Sequence, residues 1–125
     1  MNTIVDPIVI AYIRDHPVSK RLALSSNVLT LYNNRVPIII GRSETKRTPP
    51  IDKYRFLAPK DISFGKFIVE LRRHILGINH NNALFFFIKE NTIPVTSMDM
   101  ESIYEKYKSD DGFLYISYCC ENSFG

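Results

Sequence analysis

Ser63-Phe64-Gly65-Lys66-Phe67-Ile68-Val69-Glu70-Leu71-Arg72-Arg73-His74-Ile75-Leu76, followed after an asparagine-rich turn by Ala83-Leu84-Phe85-Phe86-Phe87-Ile88, is the stretch that decides the fold. Phe64, Phe67, Ile68, Leu71 and Ile75 fall at i, i+3, i+4, i+7 and i+11, the spacing that lines one face of an α-helix. Ser63 supplies the oxygen that caps such a helix. Gly77 and Asn79-His80-Asn81-Asn82 end it, so a helix is predicted over Ser63–Leu76. Ala83–Ile88 reads as a fully buried strand. Arg72-Arg73-His74 reads as a solvated helix face on which Glu70 pairs with Arg73 or His74.

Upstream, Lys53-Tyr54-Arg55-Phe56-Leu57 alternates basic and aromatic residues as a short strand closed by Pro59, and the polar, proline-broken residues 42–52 before it form a loop. Val36-Pro37-Ile38-Ile39-Ile40, entered by the turn Tyr32-Asn33-Asn34 and ended by Gly41, is a β-branched strand. Pro37 lacks a ladder donor, so it belongs near the strand start or facing away from a neighbour. Two helices come first. Asp6-Pro7 opens one that His16-Pro17 stops, and the second runs from Val18 to Leu31. Downstream, Thr96-Ser97 is expected to cap a short helix with Met100, Ile103, Tyr104 and Tyr107 on one stripe, and Asp110-Asp111-Gly112 turns the chain into a last strand, Phe113–Cys119. This order of helix, helix, β, β, α, β, α, β fits an α+β fold, a β-grasp sheet with one face covered by the helix Ser63–Leu76; a ferredoxin-like arrangement is the alternative.

The composition is that of one domain: 125 residues, 45% hydrophobic, with two cysteines and no tryptophan. A chain of this size can bury about two-thirds of its surface without disulfides or metal. The longest apolar run, Ala83–Ile88, is far too short to span a bilayer as a helix, and the N-terminus lacks the positive region of a signal peptide. Cys119 and Cys120 are adjacent, a spacing that disfavours a bridge along a strand, so reduced thiols in a cytosolic compartment are expected. Net charge is +2 over residues 1–41, +5 over 42–88 and −4 over 89–125. That asymmetry argues against a uniformly basic nucleic-acid binder and for a local basic face meeting acidic partners.

Catalysis would need Cys119 or Cys120 beside His16, His74 or His80, yet no nucleophile signature surrounds either thiol. Three scattered histidines and two vicinal cysteines match no metal-ligand spacing. Phe85-Phe86-Phe87 lacks the glycine and basic residues of an RNA-recognition motif, so core packing explains at least two of the rings. Two features point to binding. The charged strand Lys53–Leu57 suits a sheet edge, where basic residues guard against aggregation and where a peptide strand can be added. Glu121-Asn122-Ser123-Phe124-Gly125 follows the last strand as a flexible tail, and its glycine could thread a narrow enzyme channel to have its carboxylate activated.

From His16 to Gly125 the chain resembles the GABARAP-type autophagy ubiquitin-like modifiers. The likeness is carried by His16-Pro17, Tyr32-Asn33-Asn34-Arg35-Val36-Pro37-Ile38-Ile39, Lys53 to Pro59, Ala83-Leu84-Phe85-Phe86-Phe87, Ile93-Pro94-Val95-Thr96-Ser97, Phe113-Leu114-Tyr115-Ile116 and Phe124-Gly125. The resemblance implies a ubiquitin-like β-grasp with a four-stranded mixed sheet and two additional N-terminal helices on the face opposite the main helix. Residues 1–31 would form the helical subdomain, 32–119 the core and 120–125 the tail. It implies a conjugated protein, not an enzyme, with no cofactor. Gly125 would be adenylated by an activating enzyme, passed to a conjugating enzyme and joined to phosphatidylethanolamine, and a deconjugating cysteine protease would act on the product. Nothing follows Gly125, as in a form already cleaved or one that needs no cleavage. The implied location is cytoplasmic, and autophagosomal membrane once lipidated. A non-conjugated peptide-binding module, or a modifier attached to a protein lysine, is the alternative.

The resemblance also implies that cargo receptors bind through an aromatic-x-x-aliphatic motif preceded by acidic residues. The aromatic pocket would be Val28, Pro37, Ile39, Arg55, Leu57 and Phe113, and the aliphatic pocket Phe56, Ala58, Pro59, Ile62 and Phe67. Lys53 and Arg55 would meet the acidic residues, and the strand Lys53–Leu57 the added backbone. Glu70 stands where an aliphatic residue usually lines the second pocket, His74 replaces an arginine, and Leu22, Leu24, Leu29 and Leu31 replace mainly charged residues of the second helix.

Overall fold

The sheet is organised around its most apolar strand. Residues 12–43, 48–78, 83–88 and 92–120 are described by the computed structural model. They form α1 (Val18–Leu31), β1 (Arg35–Arg42), β2 (Arg55–Pro59), α2 (Phe64–Arg72), β3 (Leu84–Ile88), α3 (Met100–Tyr107) and β4 (Leu114–Cys120). Residues 12–15 are a helical turn ahead of α1; the rest of the helix expected from Pro7 lies outside the described residues. The strand order is β2-β1-β4-β3, with β1 and β4 parallel in the centre and antiparallel partners on either side. This is the β-grasp arrangement, and the ferredoxin-like alternative falls.

β1 is buried on both faces, which is why Ile38-Ile39-Ile40 does not alternate with polar residues. Val36, Ile38 and Ile40 pack with Phe56, Ala58, Phe86, Ile88, Leu114 and Ile116 under Phe64, Phe67 and Leu71 of α2 and Met100 and Ile103 of α3. Ile39 faces the other way, into a smaller cluster with Tyr12 and Phe113 flanked by Leu24 of α1. The N-terminal helical turn and α1 therefore cover the face opposite α2, as expected. Pro37 is tolerated because of the ladder's phase. The Ile40 N–H donates to the Tyr54 carbonyl, so residues 36, 38 and 40 point their backbone groups at β2 and Pro37 points its nitrogen towards β4. The β1–β4 ladder starts one residue later, at Ile38 opposite Leu114.

Several expected boundaries shift. α2 leaves the helical path after Arg72 instead of reaching Leu76, because the chain turns to pair with the loop before β2: Asp52 N–H donates to the His74 carbonyl and Leu76 N–H to the Pro50 carbonyl. Ile75 still reaches the core through its bridge to Ile51. The second strand begins at Arg55 and runs through Pro59, two residues beyond the expected span. β3 is an outer strand with Phe86 and Ile88 buried and Leu84, Phe85 and Phe87 half-buried, so it is not buried throughout. The cap of α3 is Asp99, not Thr96-Ser97: its Oδ1 accepts the Ser102 N–H at 2.7 Å. Cys120, assigned to the tail, is the last residue of β4 and is buried.

Candidate functional site

β2 lies at the end of the sheet, and its ladder phase decides what its outer side offers. Phe56 and Ala58 spend their backbone groups on β1, so those of Arg55 and Leu57 point outward. The Arg35 guanidinium donates to the Leu57 carbonyl at 3.2 Å, which leaves that oxygen a second lone pair. Pro59 has no N–H and ends the donor row.

Along this edge runs a groove of about 950 Å³. On the α1 face it is lined by Leu24, Val28, Pro37, Leu57 and Phe113; on the α2 face by Phe56, Ala58, Ile62, Phe67, Glu70 and His74; Arg55, Pro59 and Lys53 contribute from the edge itself. The alternation of β2 divides these two walls. Phe56 and Ala58 face α2 with the main core, while Leu57 projects to the opposite face. All the residues singled out in the sequence line this groove except Ile39. Tyr12 and Phe113 cover Ile39, and it is fully buried beneath the α1-side wall.

Arg35, Asp52 and Lys66 also line the groove without any signal in the sequence that places them there, and Tyr54 lines it from the residues just before β2. Leu24 has a local signal: its i, i+4 spacing to Val28 puts both on one helix face. Asp52 gave no local signal, since it enters through its pairing with His74.

The α1-side wall is fixed by a polar clamp. Arg21 Nη1 donates to Asp111 Oδ2 at 2.8 Å, Tyr115 OH donates to the same oxygen, and Asp111 Oδ1 accepts the Phe113 N–H at 2.9 Å. Ser25 Oγ donates to the Asp111 carbonyl at 2.6 Å, tying α1 to the turn before β4. The Asp111 side chain is 2% exposed, yet each of its oxygens has a donor. Burial, and then the bond it donates to Asp111, pushes the Tyr115 hydroxyl well above its usual range; the same carboxylate raises the Arg21 guanidinium.

The α2-side wall is charged at its rim. His74 Nδ1 is 2.9 Å from Asp52 Oδ1 and its Nε2 is 3.8 Å from Glu70 Oε2. The imidazole meets the Phe56 ring edge-on at 5.1 Å, while Lys53 Nζ stands over that ring at 4.8 Å. No acidic group lies within ion-pair distance of Lys53 or Arg55 among the described residues, so both charges are free to meet an anion.

Other chemistry fits poorly. Cys119 and Cys120 are buried, and burial pushes the Cys119 thiol up, opposite to what a nucleophile requires. Among the described residues no group of His, Cys, Asp and Glu is placed to hold a metal ion, and no helix is long and apolar enough to cross a membrane.

Residues 20–125 match the family model described as autophagy protein Atg8, ubiquitin like. The chain belongs to the Atg8 ubiquitin-like family. It is 41% identical over 111 residues to autophagy-related protein 8 of Dictyostelium discoideum, covering 89% of this chain and 90% of that one. It is 40% identical to autophagy-related protein 8d of Arabidopsis thaliana, covering 89% and 91%. Among solved structures, Trypanosoma brucei ATG8 superposes with a TM-score of 0.80 at 32% identity, covering 88% of this chain and 93% of that one. Plasmodium falciparum Atg8, solved in complex with a Plasmodium falciparum Atg3 peptide, superposes with a TM-score of 0.75 at 30% identity, covering 84% and 91%. Membership in this family makes the chain an autophagy ubiquitin-like modifier, with the ubiquitin-like sheet described above.

Proposed function

We propose that this Atg8-family chain is a membrane-conjugated adaptor: Gly125 is joined to phosphatidylethanolamine, and the β2 groove captures short receptor motifs on the autophagosomal membrane. Gly125 lies outside the described residues, so the conjugation half of the reading rests on the family, whose model spans Phe124-Gly125. It requires activating and conjugating enzymes, and a cysteine protease to remove the modifier. In its free form the protein is cytoplasmic.

The capture half is supported by one observation above all: the two apolar walls stand on opposite faces of an open strand edge. A peptide added as a strand points successive side chains to opposite faces, so two anchors an odd number of residues apart fall on different faces. An aromatic residue and an aliphatic residue three positions later meet this condition. The aromatic anchor would enter the α1-side wall at Val28, Pro37, Leu57 and Phe113, and the aliphatic anchor the α2-side wall at Phe56, Ala58, Pro59, Ile62 and Phe67. Lys53 and Arg55 would receive acidic residues ahead of the aromatic. The Atg3 peptide bound to the Plasmodium relative supports peptide recognition in this family.

Two measurements test the two halves. A labelled Glu-Glu-Trp-Ala-Ala-Leu peptide should bind the wild type, and Leu57→Glu should reduce its affinity at least tenfold by placing a charge on the wall; unchanged affinity removes the groove as the site. In cells, Gly125→Ala should abolish the membrane-bound form, and the mass of the wild-type conjugate should equal the chain plus phosphatidylethanolamine. A conjugate whose mass instead contains a lysine-bearing peptide would identify attachment to protein.

A further inference from the structure

We infer that the α1-side wall selects phenylalanine over tryptophan as the aromatic anchor, with Leu24 as the residue that sets this preference. The preference rests on the peptide-groove reading and adds to it which aromatic side chain the partner carries.

The two rings differ in one polar group. Phenylalanine asks for apolar contact alone, whereas the indole of tryptophan brings an N–H that needs an acceptor once water is excluded. The wall is built from Leu24, Val28, Pro37, Leu57 and Phe113, and none of these side chains can accept a hydrogen bond. Their backbone carbonyls are engaged. Val28 O accepts the Tyr32 N–H and Phe113 O the Ser109 N–H, each at 2.8 Å; the Leu24 carbonyl lies in the interior of α1, and Pro37 turns its backbone groups towards β4. The Leu57 carbonyl already takes the Arg35 guanidinium, and its second lone pair faces the added strand.

The charged groups around this wall supply no acceptor either. Arg35, Lys53 and Arg55 only donate, and the carboxylates on the groove, Asp52 and Glu70, stand with His74 on the α2 side. Each oxygen of Asp111 already has a donor, from Arg21, Tyr115 or the Phe113 N–H. The same dryness strands a group of the protein's own. Tyr12 OH is buried without a hydrogen-bond partner among the described residues, while its ring meets Phe113 edge-on at 5.9 Å and packs with Leu24. Tyr54, whose ring meets that of Tyr12 at 6.1 Å, carries the one hydroxyl on the groove lining. Leu24 is where an acceptor could stand. It lies one turn before Val28 on the helix face that meets the groove and is half-buried, so a glutamine there would present its carbonyl oxygen to the anchor. An unpartnered buried donor costs roughly tenfold in affinity, and the larger area of the indole recovers only about threefold of it.

The test is a titration of the folded full chain with three peptides built on Glu-Glu-Trp-Ala-Ala-Leu. The aromatic position holds tryptophan, phenylalanine or 3-benzothienylalanine, the tryptophan isostere with sulfur in place of N–H. Wild type should bind the phenylalanine peptide roughly two- to fivefold more tightly than the tryptophan peptide, and the benzothienyl peptide most tightly of the three. Leu24→Gln should bring phenylalanine and tryptophan to equality or reverse them by giving the N–H an acceptor. Leu24→Met, which keeps the wall apolar, should keep the wild-type order. Tryptophan bound by the wild type as tightly as phenylalanine, or more tightly, overturns the inference while leaving the groove intact, and loss of that advantage in Tyr12→Phe or Tyr54→Phe would then name the acceptor. A benzothienyl peptide no tighter than the tryptophan one also overturns it, as does a wild-type order that survives in folded Leu24→Gln. If none of the three peptides binds the wild type, the groove reading itself fails and takes the inference with it.

Discussion

α1 and α2 cover opposite faces of the same sheet and wall the same groove, but they are attached by different physics. α2 buries an apolar stripe, Phe64, Phe67 and Leu71, each side chain adding about 1.5–3 kcal/mol of transfer free energy. α1 fully buries only Ser25; Leu24, Val28 and Leu29 are half-buried, and Val18, Leu22 and Leu31 stand exposed. Its N-cap is Pro17 with no side-chain hydrogen bond, and its first turn carries no acidic residue. What α1 lacks in buried stripe it replaces with the bonds converging on Asp111 from Arg21, Ser25, Tyr115 and the Phe113 N–H. A stripe spreads attachment over many weak contacts, whereas a clamp concentrates it in one residue. The wall that would take the aromatic anchor thus depends on a few polar bonds, and the wall that would take the aliphatic anchor on the main core.

Leu71→Ala should have the largest effect. Leu71 is fully buried between helix and sheet, and its truncation should cost about 3–4 kcal/mol of unfolding free energy, read by urea denaturation as a loss shared by every spectroscopic probe. Arg21→Ala should come next, at about 3 kcal/mol, because it leaves the Asp111 carboxylate buried without its cation. The sharper readout is peptide binding. With Arg21→Ala the preference for tryptophan over alanine at the aromatic position should fall, while the preference for leucine over alanine at the aliphatic position stays at its wild-type value. Equal loss at both positions would show that the two walls are held as one and would break the comparison.

This division also explains which parts were legible in the sequence. α2 was readable because its attachment is periodic and local: the stripe from Phe64 to Leu71 and the Ser63 cap lie within one stretch, and Ser63 Oγ does accept the Lys66 N–H. The strands and their order followed from apolar runs between turn residues. The edge character of β2 was readable from its alternating charge. The clamp was not, since Arg21 and Asp111 are 90 residues apart and each alone looks like a surface charge. The same holds for Asp52 and His74, brought together by the loop that ends α2 early. Ile39 lies beneath the groove wall, not on it, because family correspondence carries a residue's position along a strand but not what covers it, and here Tyr12 does. The α3 cap did have a local signal, Asp99 immediately before Met100 with Glu101 in the first turn, but Thr96-Ser97 offered the same chemistry three residues earlier.

Gly112→Ala probes the clamp without touching its charges. Gly112 adopts φ +88°, and a Cβ there would overlap Ser25 Oγ, the group that bonds to the Asp111 carbonyl. Backbone strain and the displaced serine together should cost about 1–3 kcal/mol. If the turn carries strain alone, pairing Gly112→Ala with Ser25→Ala or Ser25→Gly should leave the cost unchanged. If the clamp is the point of failure, removing the Ser25 hydroxyl first should recover much of it, and the non-additivity of the double variants measures the coupling.

The smallest effect should be that of acid on the α3 cap, where a carboxylate again holds a helix, here at its end and at the surface. Asp99 accepts the Ser102 N–H, and that bond holds its pKa below the ordinary carboxylate value. The folded state therefore binds this proton less readily than the unfolded chain. The cap's contribution is complete above the unfolded carboxylate pKa of about 3.9 and is lost as pH falls through the lower folded value. Asp99→Asn keeps an acceptor at the N-cap but cannot titrate. Urea midpoints followed from pH 6 to pH 2 should show the wild type losing its advantage over Asp99→Asn as the pH falls below about 4. Hydrogen exchange at Ser102 should accelerate, relative to Asp99→Asn, over the same interval. A constant difference between the two proteins across that range would mean that the backbone around Asp99, held by the bond from Met100 N–H to the Ile62 carbonyl, fixes the start of α3 without its side chain.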